Sequence, residues 1–250
     1  MSAGEITAEA TASLPDADIV VIGEVHDNPA HHRTQAEIVA RLKPTAVVFE
    51  MLSPQQAAQI TPELLSDPDA LRRALDWEAS GWPDFAIYAP VFAASAGARI
   101  YGAAVEIEEV RRAMSDGAAA VFGEGADRFG LAEQLDEAEQ RLREAGQMEA
   151  HCNALPEDML PGLVEAQRLR DARFARTVVG AREQHGAPVV LITGNGHART
   201  DWGVPAVVRQ AGDFSVLGIG QLEHREADPQ FDFWIVTDPF PRPDPCLAFQ

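Results

Sequence analysis

The chain of 250 residues is long enough for one large α/β domain with a helical insertion, and its apolar content of 46% is ordinary for a globular protein. A net charge of −19, with Lys43 the single lysine among 20 basic residues, argues against a nucleic-acid partner and disfavours adsorption to anionic lipid. No apolar run reaches transmembrane length and residues 1–9 show no leader pattern, so the sequence as written reads as a soluble cytoplasmic protein; a periplasmic or membrane-anchored location follows only if a leader was removed.

In chain order, Asp18 to Gly23 reads as a buried strand closing on glycine. Glu24, His26 and Asp27 follow it. A helix then opens with Asn28 as its cap and Pro29 in the first turn, where His31 and His32 also fall. Its apolar line Ala36, Ile38, Val39 and Leu42 ends at Pro44. Ala46 to Phe49 is a second buried strand, closing on Glu50. Short helices broken by Pro62, Pro68, Pro83 and Pro90 carry an aromatic segment with Trp77, Trp82 and Tyr88. Arg99 to Ala104 is a third strand.

The acidic stretch over about 105–156 is expected to be an inserted helical subdomain, with a long core-packing helix after it over about 157–184. Pro188 to Thr193 is a fourth strand and runs into Gly194-Asn195-Gly196-His197-Ala198-Arg199. A helix around Ala206 to Gln210 and strands at Ser215–Gly220 and Phe231–Val236 complete the set, before an irregular proline-rich tail from Pro239 to Pro245. The expected fold is therefore α/β: a mostly parallel central sheet flanked by helices, with its core over about 16–104 and 186–240. Cys152 and Cys246 lie far apart and have no CxxC partner, which predicts neither a metal knuckle nor a disulfide framework.

Three strand ends carry polar groups: Glu24, His26 and Asp27 on the first, Glu50 on the second, His197 and Arg199 on the fourth. In a parallel sheet these ends share one edge, where ligands bind outside the carboxyl ends of the strands. Each polar residue could merely cap its own loop. Three loaded ends together favour a shared site. Gly194-Asn195-Gly196 lacks the third glycine of a dinucleotide fingerprint, and no P-loop, HExxH pair or GxSxG elbow is present.

Two chemistries suit this set. In a metal-dependent hydrolase, Glu24, His26 and His197 hold a divalent ion, Glu50 or Asp27 serves as general base, and Arg199 steadies a developing anion. In a haem-binding protein, Tyr88, beside Trp82, Phe85 and Phe92, is the candidate axial ligand, with His31 or His32 as substitutes. Plain aromatic core packing is the competing fate of Tyr88.

Ile22-Gly23-Glu24-Val25-His26-Asp27-Asn28-Pro29 with His31, His32 and Gln35, then Val48-Phe49-Glu50-Met51, resemble the signature of the ChaN-like haem-binding proteins of the Tiki superfamily. Gly81-Trp82-Pro83 through Tyr88-Ala89-Pro90, Ala166 to Ala175, and Gly194 to Arg199 with Gly203-Val204-Pro205 extend the resemblance through nearly the whole chain. It implies an α/β core with a helical subdomain, a role in bacterial haem or iron acquisition, and haem held by a tyrosine at the interface of a homodimer. Related branches of that superfamily use Glu and His near the same strand ends for metal-dependent hydrolysis. The sequence departs from the pattern in lacking a lipoprotein leader, and in ending its third strand Gly102-Ala103-Ala104-Val105 where an Asn-Pro-like turn is expected.

Overall fold

The computed structural model describes residues 4–7, 11, 14–244 and 246–247. Among them, seven strands form one sheet: β1 (Gly4–Glu5), β2 (Ile19–Ile22), β3 (Ala46–Phe49), β4 (Arg99–Gly102), β5 (Val189–Ile192), β6 (Val216–Leu222) and β7 (Phe233–Val236). Their order across the sheet is β1-β7-β6-β2-β5-β3-β4, and every pairing is parallel. Strand β1 has no counterpart in the sequence reading. Its two residues pair with Phe233 and Trp234 and are too short to show a period.

The central strands are buried on both faces because helices cover both sides of a parallel sheet. Ile19, Val20, Val21 and Ile22 are β-branched and buried, and each contributes roughly 1.5–3 kcal/mol by leaving water. Helix α1 (Pro29–Leu42) starts where the Asn28 side chain accepts the Ala30 N–H and stops at Lys43, a left-handed residue before Pro44. Three short helices, α2 (Pro54–Ala58), α3 (Pro62–Leu65) and α4 (Pro68–Ala74), each begin with proline behind a side-chain cap. Helix α5 (Phe85–Ala94) then buries Phe85, Tyr88, Val91 and Phe92 in one cluster with Ile38 and Val39 of α1.

Two compact units divide the chain. The first is the sheet unit, Met1–Ala104 with Phe174–Phe240. The second is a helical unit, Val105–Arg173 with Pro241–Gln250. It holds α6 (Ile107–Asp116), α7 (Ala118–Phe122), α8 (Glu137–Ala150) and the start of α9 (Leu160–His185). Phe122 and Phe129 pack there with ring centroids 5.5 Å apart, and the Arg173 guanidinium lies over the Phe122 ring. Two further helices of the sheet unit, α10 (Asn195–Ala198) and α11 (Val204–Ala211), lie between β5 and β6. The tail has no regular structure over 239–244, and Pro245 lies outside the described residues.

The cysteines correct the sequence reading. Cys152 and Cys246 form a disulfide across 94 residues of chain. Spacing alone hid it, because the fold rather than a short motif brings the two together.

Candidate functional site

The register places Ile22, Phe49 and Ile192 level with one another. The next residues, Gly23, Glu50 and Thr193, therefore leave the sheet side by side. The connections after β2 and β5 run to opposite sides of the sheet, since β2 leads towards β3 and β5 leads across β2 to β6. A crevice opens where adjacent strands send their chains apart, and ligands bind at such switch points.

Glu24 is the hub of this crevice and is 2% exposed. Its Oε1 accepts from His26 Nδ1 at 2.8 Å and from the Tyr88 hydroxyl at 3.1 Å. Its Oε2 accepts from Gln35 Nε2 at 2.7 Å, with His32 Nδ1 at 3.5 Å. Helix α1 supplies Gln35 and His32 from one buried face, three residues apart. His32 Nε2 donates in turn to the His26 carbonyl at 2.9 Å. His31 accepts the Val25 N–H on Nδ1, so its Nε2 carries the proton and donates to Thr237 Oγ1 at 2.9 Å. These contacts fix the loop after β2 from beneath.

His26 is the exposed member, with 37% of its side chain open to solvent. Because Nδ1 donates to Glu24, the neutral ring keeps its lone pair on Nε2, and no described residue hydrogen-bonds that nitrogen. A Cβ on Gly194 would stand 2.9 Å from Nε2. Gly194 has an ordinary extended backbone (φ −67°, ψ 154°), so the missing side chain, not the dihedral, is what glycine provides. Burial pushes the His26 imidazole pKa down, but the hydrogen bond to Glu24 and the charges of Glu24, Glu50 and Asp27 outweigh it. The net pKa is raised above 6.5.

Across Gly194 stands a second pair. Glu50 Oε2 accepts from Thr193 Oγ1 at 2.6 Å and from the Gly194 N–H at 2.8 Å, while Oε1 lies 3.6 Å from His197 Nε2. Burial raises the Glu50 pKa, yet the charges of His197 and His26 and these two hydrogen bonds prevail, so it lies below 4.5. The His197 ring packs on Phe174, with centroids 4.8 Å apart.

The crevice thus brings together Glu24, His26, Glu50 and His197, but not as the sequence predicted. Glu24, His26 and His197 do not make a three-ligand metal set, and among the described residues no group of three His, Cys, Asp or Glu is placed to hold a metal ion. The physical reason is that both Glu24 oxygens are committed inside the protein while His197 faces Glu50. Arg199 does not point at the crevice's pairs either. It forms a bidentate pair with Asp201 at 3.1 and 2.6 Å, stacks over Trp202, and lines a separate cleft of about 300 Å³ with Asn195, Glu223 and His224.

Tyr88, His31 and His32 are each 0% exposed, so none offers a ligand atom at the surface. Tyr88 sits in the core instead: its ring is 4.1 Å from that of His32 and 5.0 Å from that of Trp77, and its hydroxyl donates to Glu24. Burial, then the Glu24 charge and hydrogen bond, push its pKa above the usual 10.0, so the phenol stays a proton donor. Gln35, Thr193 and Thr237 are supports whose roles the sequence reading did not assign. The i+3 and i+4 spacing of Gln35 from His32 and His31 was the available signal.

The profile of the family described as "Haem-binding uptake, Tiki superfamily, ChaN" matches residues 10–208. The chain belongs to this family. Among solved structures it is similar to "Cofacial heme binding to ChaN of Campylobacter jejuni", with 19% identity, 89% of this chain and 88% of that one covered, and a TM-score of 0.65. At that identity the likeness shows the shared fold. The type III effector HopBA1 aligns over 93% of this chain and 92% of its own at 15% identity, with a TM-score of 0.47. No curated protein matches. No helix of the described residues is long and apolar enough to cross a membrane.

Proposed function

We propose that this ChaN-family protein binds haem in iron acquisition or handling, and that His26 Nε2 is the iron ligand. The family supplies the ligand class. The observation that carries the residue is the state of the His26 ring: Glu24 holds Nδ1, Nε2 is left with its lone pair, and 37% of the side chain is open to solvent. A carboxylate behind a histidine fixes the ring and makes the far nitrogen more basic, the arrangement that iron-ligating histidines use.

An apolar cleft that would suit a flat macrocycle adjoins His26 through Trp82. Trp82 meets the His26 ring edge-on at 4.9 Å and lines a cleft of about 550 Å³ with Trp77, Pro83, Phe85 and Ala89. Ligand sites of this size are mostly apolar with a few placed polar groups. Arg72 lines the same cleft, paired with Glu78 and Asp69, and is the cation there for a propionate. Haem, when bound, would supply redox chemistry at its iron. Glu24 orients His26, Tyr88 and Gln35 hold Glu24, and Gly194 keeps the space beside Nε2 open.

Haem titration followed by absorbance tests the assignment. The wild type should give a sharp Soret band saturating at about one haem per chain. His26→Ala should lose it, and Tyr88→Phe should retain it. A band kept in His26→Ala and lost in Tyr88→Phe would overturn the reading and move the iron to Tyr88.

A further inference from the structure

Helix α8 is half-covered along one face, where the Arg143 side chain is 11% exposed. None of its residues is buried, and Leu142 is 61% exposed. The side-chain pairs Glu137–Arg141, Glu139–Arg143 and Gln140–Glu144 are i,i+4 contacts within the helix. Such pairs support helicity but do not dock a helix on anything.

At its C-terminal end the chain hooks. Cys152 and Asn153 take left-handed dihedrals, φ 61° and 55°, and their N–H groups donate to Glu149 and Met148 carbonyls. The hook holds the Cys152 sulfur in a defined place. The tail segment of the same unit is shaped to meet it: Asp244 Oδ1 accepts the Cys246 N–H at 2.9 Å, and the Asp244 carbonyl accepts the Leu247 N–H at 3.1 Å. The Cα atoms of Cys152 and Cys246 are 5.5 Å apart, their sulfurs are bonded, and no free cysteine is left among the described residues.

We propose that the Cys152–Cys246 disulfide is the anchor that fastens the C-terminal segment to helix α8, and that the protein therefore works where thiols are oxidised. Its formation is an exchange reaction. The two thiols give up two protons and two electrons as the S–S bond forms, and a donor disulfide takes them up and leaves as two thiols. In a compartment with a reducing thiol pool the two cysteines would stay as thiols, and the tail would lose its covalent tie to the end of α8. A bond across 94 residues also removes much freedom from the unfolded chain, as cross-links closing long loops do. Cys246 lies beyond the residues 10–208 that the family profile matches.

Thiol trapping in the source cells tests the proposal. Acid-quenched protein, unfolded in an alkylating agent, should show neither cysteine modified until a phosphine is added. A non-reduced digest should contain one linked pair of peptides, two hydrogens lighter than the sum of the separate thiol peptides. Two alkylatable thiols in the quenched protein would overturn the oxidised location. Hydrogen exchange on the purified full chain tests the anchoring. Reductant, or Cys246→Ser, should speed exchange across 137–154 and 241–247 by about tenfold or more, while Ile19–Ile22 and Val189–Ile192 stay protected. Unchanged exchange on reduction would overturn the anchor.

Discussion

The crevice of the sheet unit and helix α8 of the helical unit are both rich in charge, and they use it in opposite ways. In the crevice, Glu24 is sealed from water and accepts hydrogen bonds from three neighbours, His26 of β2's loop, Gln35 of α1 and Tyr88 of α5. On α8, Glu137 meets Arg141 at the surface, and a disulfide to the tail lies just past the helix end. A buried carboxylate is costly to leave unpaired, whereas an exposed ion pair is worth little. The same residue types therefore build a rigid platform in one place and a solvated face in the other.

Substitutions at the two places should differ widely. Glu24→Ala removes the common acceptor of His26, Tyr88 and Gln35, and chemical denaturation should show a loss of about 3–5 kcal/mol. Tyr88→Phe keeps the ring and deletes one donor to Glu24, so a loss of about 1–2 kcal/mol is expected by the same measurement. Arg141→Ala on α8 should cost less than about 0.5 kcal/mol, because its pair with Glu137 is exposed. Equal losses at Glu24 and Arg141 would erase the distinction.

Acid should separate the regions too. Glu50 is held ionised by His197, His26, Thr193 and Gly194, so its folded pKa lies below the ordinary 4.5. Its stabilisation is present above pH 4.5 and is lost as pH falls through that lowered value. Melting curves at successively lower pH should show Glu50→Gln losing less than the wild type over that window. A parallel decline would remove Glu50 from the account.

Much of this was legible in the sequence. The β-branched runs at Ile19–Ile22, Ala46–Phe49 and Val189–Ile192, the Asn28-Pro29 helix start, and the loading of three strand ends all follow from local chemistry. The motifs from Ile22 to Arg199 carried the family, and its profile bears that out. What sequence could not supply was the direction of side chains beyond the strand ends. Arg199 turns back to Asp201, two residues on, and His197 turns to Glu50 rather than to Glu24. The sequence leaves Tyr88 open between an axial ligand and aromatic core packing; α5 packs against α1 and carries its ring inward to Glu24. The Cys152–Cys246 bond depends on where the tail returns, which no local pattern encodes.

The most direct test of the central claim is chemical rescue at His26. His26→Gly opens the position beside Gly194 and leaves Glu24 in place to hold a replacement ring. In this variant haem should give no sharp Soret band alone, and added imidazole, whose free nitrogen offers the same single lone pair as His26 Nε2, should restore it. Haem binding in His26→Gly equal to that of the wild type without imidazole would contradict the assignment of His26 as the iron ligand.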